Sequence, residues 1–190
     1  MMKKILLLII IFCCVKVNAQ FRKIDTLVQV GKSGYRVYTN NKGKEKNSIS
    51  IKVIGFDSDA RDLDFTIEGK IKFVAVDDFN NDGFPDLLLF VYKAPDFLKA
   101  TVIGIASEEN KSCSSIYFPD IKDDAKLSAG YNGNDEFTVI EGNIFRKFPI
   151  HNVSNLNASS TDTKRTIQYK MVKGDKGYKF VVVRSYESKL

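Results

Sequence analysis

The chain has 190 residues, 44% of them apolar, with three cysteines, no tryptophan and a formal net charge of +6. Its lysines and arginines are scattered, with no dense basic block interleaved with aromatics, so the composition excludes a nucleic-acid-binding surface. That length and apolar content suit one domain with a true core.

Residues 1–20, MMKKILLLIIIFCCVKVNAQ, begin with Lys3 and Lys4, continue through an apolar run from Ile5 to Val15, and close on Val17-Asn18-Ala19. This is the layout of a secretory signal peptide over residues 1–19, and its apolar run is short of the roughly 20 residues a spanning helix needs. The mature chain, 20–190, is therefore expected to be periplasmic or secreted and not membrane-spanning. Loss of Lys3, Lys4 and Lys16 with the leader lowers the net charge from +6 to +3. Cys13 and Cys14 leave as well, so Cys113 stands alone and the domain must hold together without a disulfide.

After the leader, short runs rich in valine, isoleucine, phenylalanine and tyrosine alternate with turn residues. In chain order they are TLVQV, YRVYT, SISIKVIGF, FTIEGKIKFVAV, LLLFVY, TVIGIA, SSIYF, EFTVIEGNIFRKFPI, TIQYKMV and YKFVVVRSY. Many alternate with period two, and no segment carries a sustained helical stripe. IEGK (67–70), IEGN (140–143) and GDKG (174–177) read as hairpin turns between neighbouring runs. The expected fold is a single all-β domain: an antiparallel β-sandwich, or a barrel-like or propeller-like sheet pair. GFDSDARDLDF (55–65) and HNVSNLNASSTDTK (151–164) read as surface loops.

Between IKFVAV and LLLFVY lies DDFNNDGFPDL. Counted from Asp78 it fits D-x-N-x-D-G-x-x-D, which places oxygens of Asp78, Asn80, Asp82 and Asp86 at alternating positions, with the Phe84 carbonyl between them and Gly83 at the sharp turn. Hard calcium takes six to eight oxygens, and such a loop converges them, so the spacing predicts a structural calcium site at the tip of a hairpin. Leu89 stands where an EF-hand would carry its bidentate glutamate, and the flanks are strand-like. The competing reading is a metal-free Asx-rich turn. A catalytic centre is not evident. His151 is the sole histidine, Cys113 has no local support as a nucleophile, and no Gly-rich phosphate loop is present.

Several stretches together resemble the family of periplasmic inhibitors of invertebrate-type lysozyme: GKSGYRV (31–37), VDDFNNDGFPDLLLFVY (76–92), YFPDI (117–121), GYNGNDEFTVIEGNIFRKFPI (130–150) and RTIQYKM (165–171). The resemblance implies an exported, calcium-loop β protein that blocks the cleft of a lysozyme-like glycoside hydrolase. It also implies a protruding loop bearing a serine and, three residues on, a tyrosine. Ser114 and Tyr117 are the matching pair, with Ser115 where the family has glycine. Ser33-Gly34 keeps that glycine, but Arg36 takes the tyrosine's place. The other reading of SSIYF is an ordinary strand with Tyr117 in the core. Tyr131, Asp135 and Phe137 are expected to stabilise a turn and the core. The alternative function is a non-inhibitory, calcium-stabilised module of the cell envelope that binds glycan or protein.

Overall fold

The computed structural model describes residues 21–152, 154 and 160–189. The leader and its cleavage site lie outside them. Among the described residues twelve strands form three antiparallel sheets of four, each a meander, and none of these closes on itself. The first sheet comprises β1 (Ile24–Val30), β2 (Ser33–Thr39), β3 (Lys46–Ile54) and β4 (Leu63–Glu68). The second comprises β5 (Lys70–Asp77), β6 (Asp86–Tyr92), β7 (Ala100–Glu108) and β8 (Ser112–Ile116). The third comprises β9 (Glu136–Ile140), β10 (Asn143–His151), β11 (Ser160–Gly174) and β12 (Gly177–Lys189). A 3-10 turn (Ile121–Asp123) and a short helix α1 (Ala125–Ser128) link the second sheet to the third.

The all-β expectation holds, but the layers number three rather than two, and the reason is legible in β6. All seven of its residues are buried. Leu87, Leu89 and Val91 pack with Tyr35, Val37, Ile49 and Ile51 of the first sheet. Leu88, Phe90 and Tyr92 pack with Ile144, Phe148, Ile167 and Phe180 of the third. Because successive side chains leave opposite faces of a strand, a continuous apolar run marks a strand covered on both faces. The second sheet is that middle layer.

Two of the three predicted hairpin turns are present. Glu141 and Gly142, with φ of 49° and 69°, form the two-residue turn from β9 to β10, both in the left-handed region a primed turn needs. Asp175 and Lys176 likewise join β11 to β12, with Gly174 opposite Gly177. IEGK is different. Only Gly69 separates β4 from β5, the strands on either side belong to different sheets, and the chain crosses there from the first layer to the middle one. Gly69 has φ of +121°, and a Cβ on it would lie 2.2 Å from the Tyr92 carbonyl oxygen. The segment 151–164 is also less of a loop than its polarity predicts, because β11 already begins at Ser160.

Buried asparagines sew the first two layers together. The Asn41 side chain donates to the Ile71 carbonyl at 2.6 Å and accepts from the Ile71 N–H at 3.0 Å, as a strand neighbour would. Asn47 donates to the Gly69 carbonyl at 2.7 Å. Tyr35, fully buried in the first sheet, donates to the Pro85 carbonyl at 2.8 Å and so anchors the far end of the aspartate loop.

Candidate functional site

The aspartate loop closes the β5–β6 hairpin, with Asp77 opposite Asp86. Its side-chain oxygens converge on its own backbone. Asp78 accepts from the N–H groups of Asp82 and Gly83, each at 2.9 Å. Asn80 accepts from the Asp82 N–H and donates to an Asp82 carboxylate oxygen at 2.7 Å. Asp82 also accepts from Phe84 N–H at 2.9 Å. Gly83 has φ of +87°, the sharp turn its place in the motif predicts.

Asp86 is fully buried, and its two oxygens accept from the N–H groups of Phe79 and Ser107 at 3.1 Å each. Burial pushes its carboxyl up to about 7; those two N–H bonds pull it down, and the negative charges of Asp82 and Asp78 add to the rise. Asp78, Asp82 and Asp86 thus share one electrostatic neighbourhood, and among the described residues none has an ion-pair partner. An all-oxygen set of this kind, carrying excess negative charge and no basic counterpart, suits calcium in donor chemistry. As placed, however, no three His, Cys, Asp or Glu side chains among the described residues come close enough to form a ligand group. The carboxylates are drawn onto backbone N–H groups instead.

Ser114 and Tyr117 do not sit on a protruding loop, because residues 112–116 are strand β8, paired with β7. Ser114 donates to Glu108 Oε1 at 2.6 Å. Ile116 is buried, whereas Tyr117 is 58% exposed, so Tyr117 is not a core residue. Its backbone is fixed: its N–H donates to the Tyr178 carbonyl and its carbonyl accepts from Phe180 N–H, both at 2.9 Å, which pins the middle sheet to β12. Three residues apart on extended chain, Ser114 and Tyr117 leave opposite faces, so the structure does not present them as a pair. Ser33 is also structural, donating to the Gly55 carbonyl at 2.9 Å and accepting from Asn110 at 3.0 Å.

What Tyr117 does border is a concavity of about 390 Å³ shared with residues 174–179 at the β11–β12 tip. That tip projects: β10 ends its pairing at Asn143–Lys170, so residues 171–174 pair with β12 alone. The tip itself is of mixed charge, with Asp175 beside Lys176 and Lys179. Burial holds the Tyr178 hydroxyl above its ordinary range, and the negative charges of Glu108, Asp82 and Asp86 add to the rise. Sequence reasoning missed this element because a tight GDKG turn says nothing about how far its hairpin overhangs the sheet.

Residues of the GYNGNDEFTVIEGNIFRKFPI stretch (130–150) form a buried lock. Arg146 donates to Asp135 through Nε at 2.7 Å and Nη2 at 2.9 Å, with both side chains almost wholly buried. Tyr131 donates to Asp135 at 2.6 Å, Asp135 accepts from the Ala100 N–H at 2.7 Å, and Tyr92 donates to the Asp135 carbonyl at 2.7 Å. The expectation that Tyr131, Asp135 and Phe137 support a turn and the core holds. Arg165 of RTIQYKM is structural too, donating to the carbonyls of Lys126, Leu127 and Ala129 at the end of α1.

His151 and Cys113 lie on different sheets, and burial pushes the Cys113 thiol up, away from the thiolate a nucleophile needs. No described helix is long and apolar enough to cross a membrane. Fold and site together define a three-layer, all-β protein with Tyr117 exposed beside a projecting hairpin. No family model matches the chain, and comparisons with curated proteins and with solved structures give no match.

Proposed function

We propose that the protein is an exported, calcium-stabilised inhibitor of a lysozyme-like glycoside hydrolase, acting as a binding protein rather than an enzyme. The observation that carries the reading is Tyr117: a large aromatic left 58% exposed on a rigid backbone, next to a narrow projecting hairpin. A rigid aromatic contributes contact area at low entropic cost, and a two-stranded tip is thin enough to enter a sugar-binding cleft. The balance of charge in the turns supports the choice of partner. Asp57, Asp59, Asp78, Asp82, Glu141 and Asp175 occupy turns at the same end of the molecule and outnumber Lys32, Arg61, Lys111 and Lys176 there, which suits a basic enzyme although the whole chain is itself basic. The calcium ion belongs to the same proposal. It would be held by Asp78, Asn80, Asp82, Asp86 and the Phe84 carbonyl, drawing the carboxylates off their N–H partners and fixing the loop beside the contact face.

The test is titration of an invertebrate-type lysozyme with the protein. Stoichiometric loss of lytic activity, weakened about tenfold or more by Tyr117→Ala, is the expected result. Undiminished lysis at molar excess across a panel of muramidases would remove the inhibitor reading.

A further inference from the structure

A second site, with different chemistry, lies at the opposite end of the sheets from the aspartate loop. There the β6–β7 connection, residues 93–99, folds back on itself: Lys93 N–H donates to the Lys99 carbonyl at 2.8 Å and Phe97 N–H to the Lys93 carbonyl at 3.0 Å. The two lysines therefore stand side by side at the base of the loop. A third, Lys122, is set by its neighbour Ile121, which is buried in the core, and by Asp120, whose carboxylate accepts the Lys122 N–H at 3.0 Å. These three lysines, with Thr101, Asp120, Tyr131 and Arg146, line a recess of about 100 Å³. Tyr131 and Arg146 are buried and so form its inner wall.

We propose that this recess is a binding site for a small tetrahedral oxyanion, as free phosphate or as the phosphate group of a larger ligand. Three observations carry the inference. The first is excess charge: among the described residues Lys93, Lys99 and Lys122 have no ion-pair or side-chain hydrogen-bond partner, while Arg146 is already matched by Asp135. Asp120 alone supplies negative charge on the rim. Three lysines against one carboxylate leave the lining with excess positive charge, which a bound anion would offset. The second is size, since 100 Å³ is several times the space one water requires yet holds only one small group. The third is rigidity. The lysine-bearing loop is clamped to the third sheet, with Asp135 N–H donating to the Leu98 carbonyl at 3.1 Å and Ala100 N–H to the Asp135 carboxylate at 2.7 Å. Anchored backbones reduce the ordering cost of binding.

The site shares no residue with the Tyr117 face, so it stands or falls independently of enzyme inhibition. The experiment is an amide-resolved NMR titration with inorganic phosphate at ionic strength held constant by chloride. Saturable shifts confined to residues 93–101, 119–122 and 131 are expected, with affinity weakened about tenfold or more in Lys93→Ala/Lys99→Ala/Lys122→Ala. Those side chains are exposed, and the fold of the variant is checked by its remaining spectrum. Non-saturating shifts, shifts spread over lysines elsewhere, or shifts unchanged in the triple variant would each overturn the proposal. A parallel sedimentation arm with phosphatidylglycerol vesicles separates the sources: co-sedimentation lost in the triple variant assigns the oxyanion to a lipid headgroup, and saturation by free phosphate without vesicle binding assigns it to a soluble ligand.

Discussion

Two buried carboxylates in this protein meet opposite electrostatic fates. Asp135 faces Arg146 with the side chains 0% and 3% exposed, and every oxygen is hydrogen-bonded, so the pair is stable as a unit and costly to halve. Asp135→Ala leaves a guanidinium buried without its counter-charge, and urea denaturation should register a loss of about 3–5 kcal/mol. The double variant Asp135→Leu/Arg146→Met should recover much of that loss, because it removes both charges together. Asp86, by contrast, has no cation, and its folded carboxyl is pushed up to about 7. Between its ordinary carboxylate value and that point, the folded state holds a proton that the unfolded state has released. Folding therefore takes up a proton, and stability falls as pH rises through this window. In chelator, Tm should be higher near pH 5 than near pH 8 as far as this group is concerned, and Asp86→Asn should flatten the difference. Calcium at pH 8 should raise Tm in the wild type; a Tm indifferent to calcium there would count against the ion.

At the scale of elements, the same three letters carry two structures. In IEGN, two residues separate the paired strands and the chain folds back on its own sheet; in IEGK, one residue separates them. A two-residue loop closes a hairpin, but a single residue cannot, so the chain leaves the plane and starts the next layer. Gly69→Ala should therefore destabilise by about 1–3 kcal/mol or more, since it adds a Cβ 2.2 Å from the Tyr92 carbonyl at a φ of +121°. Gly142→Asn should cost far less, because the nearest atom to a Cβ there lies 3.9 Å away and asparagine tolerates a left-handed φ. Thermal melts of the two variants check the contrast. Strand positions and the aspartate hairpin were legible in the sequence because each is set by local period or by adjacent turn chemistry. The structural part played by Tyr131, Asp135 and Phe137 was expected only alongside the family resemblance, because the Asp135–Arg146 pair joins separate elements. The layer count was only half legible. LLLFVY announces burial on both faces, but nothing in it says which sheets supply the cover. Exposure of Tyr117 was half legible: SSIYF left a contact position and a core position both open, and its neighbour there is Lys179 of β12, 62 residues further on.

Both ends of the molecule carry both signs of charge, but acids predominate in the turns at one of them. Meander topology puts alternate connections at alternate ends, so the aspartate loop, the 55–62 loop and the β9–β10 and β11–β12 turns gather at one end. Lys42, Lys44, Lys93, Lys99 and Lys122 lie toward the other. For a partner of either sign, association depends on the charge of the facing surface rather than on the net charge at separations near the Debye length. If the acidic end docks a basic hydrolase, the association rate should fall steeply with added salt while the dissociation rate changes little. Reversing two acids that lie on the exposed rim, Asp59→Lys/Asp175→Lys, should slow association by about tenfold at low salt and leave Tm nearly unchanged. Reversing the other end, Lys42→Glu/Lys44→Glu, should leave the association rate the same or raise it slightly. Stopped-flow or surface-resonance kinetics across a salt series would decide the matter: equal slopes for wild type and the Asp59/Asp175 variant would place the contact away from the acidic end.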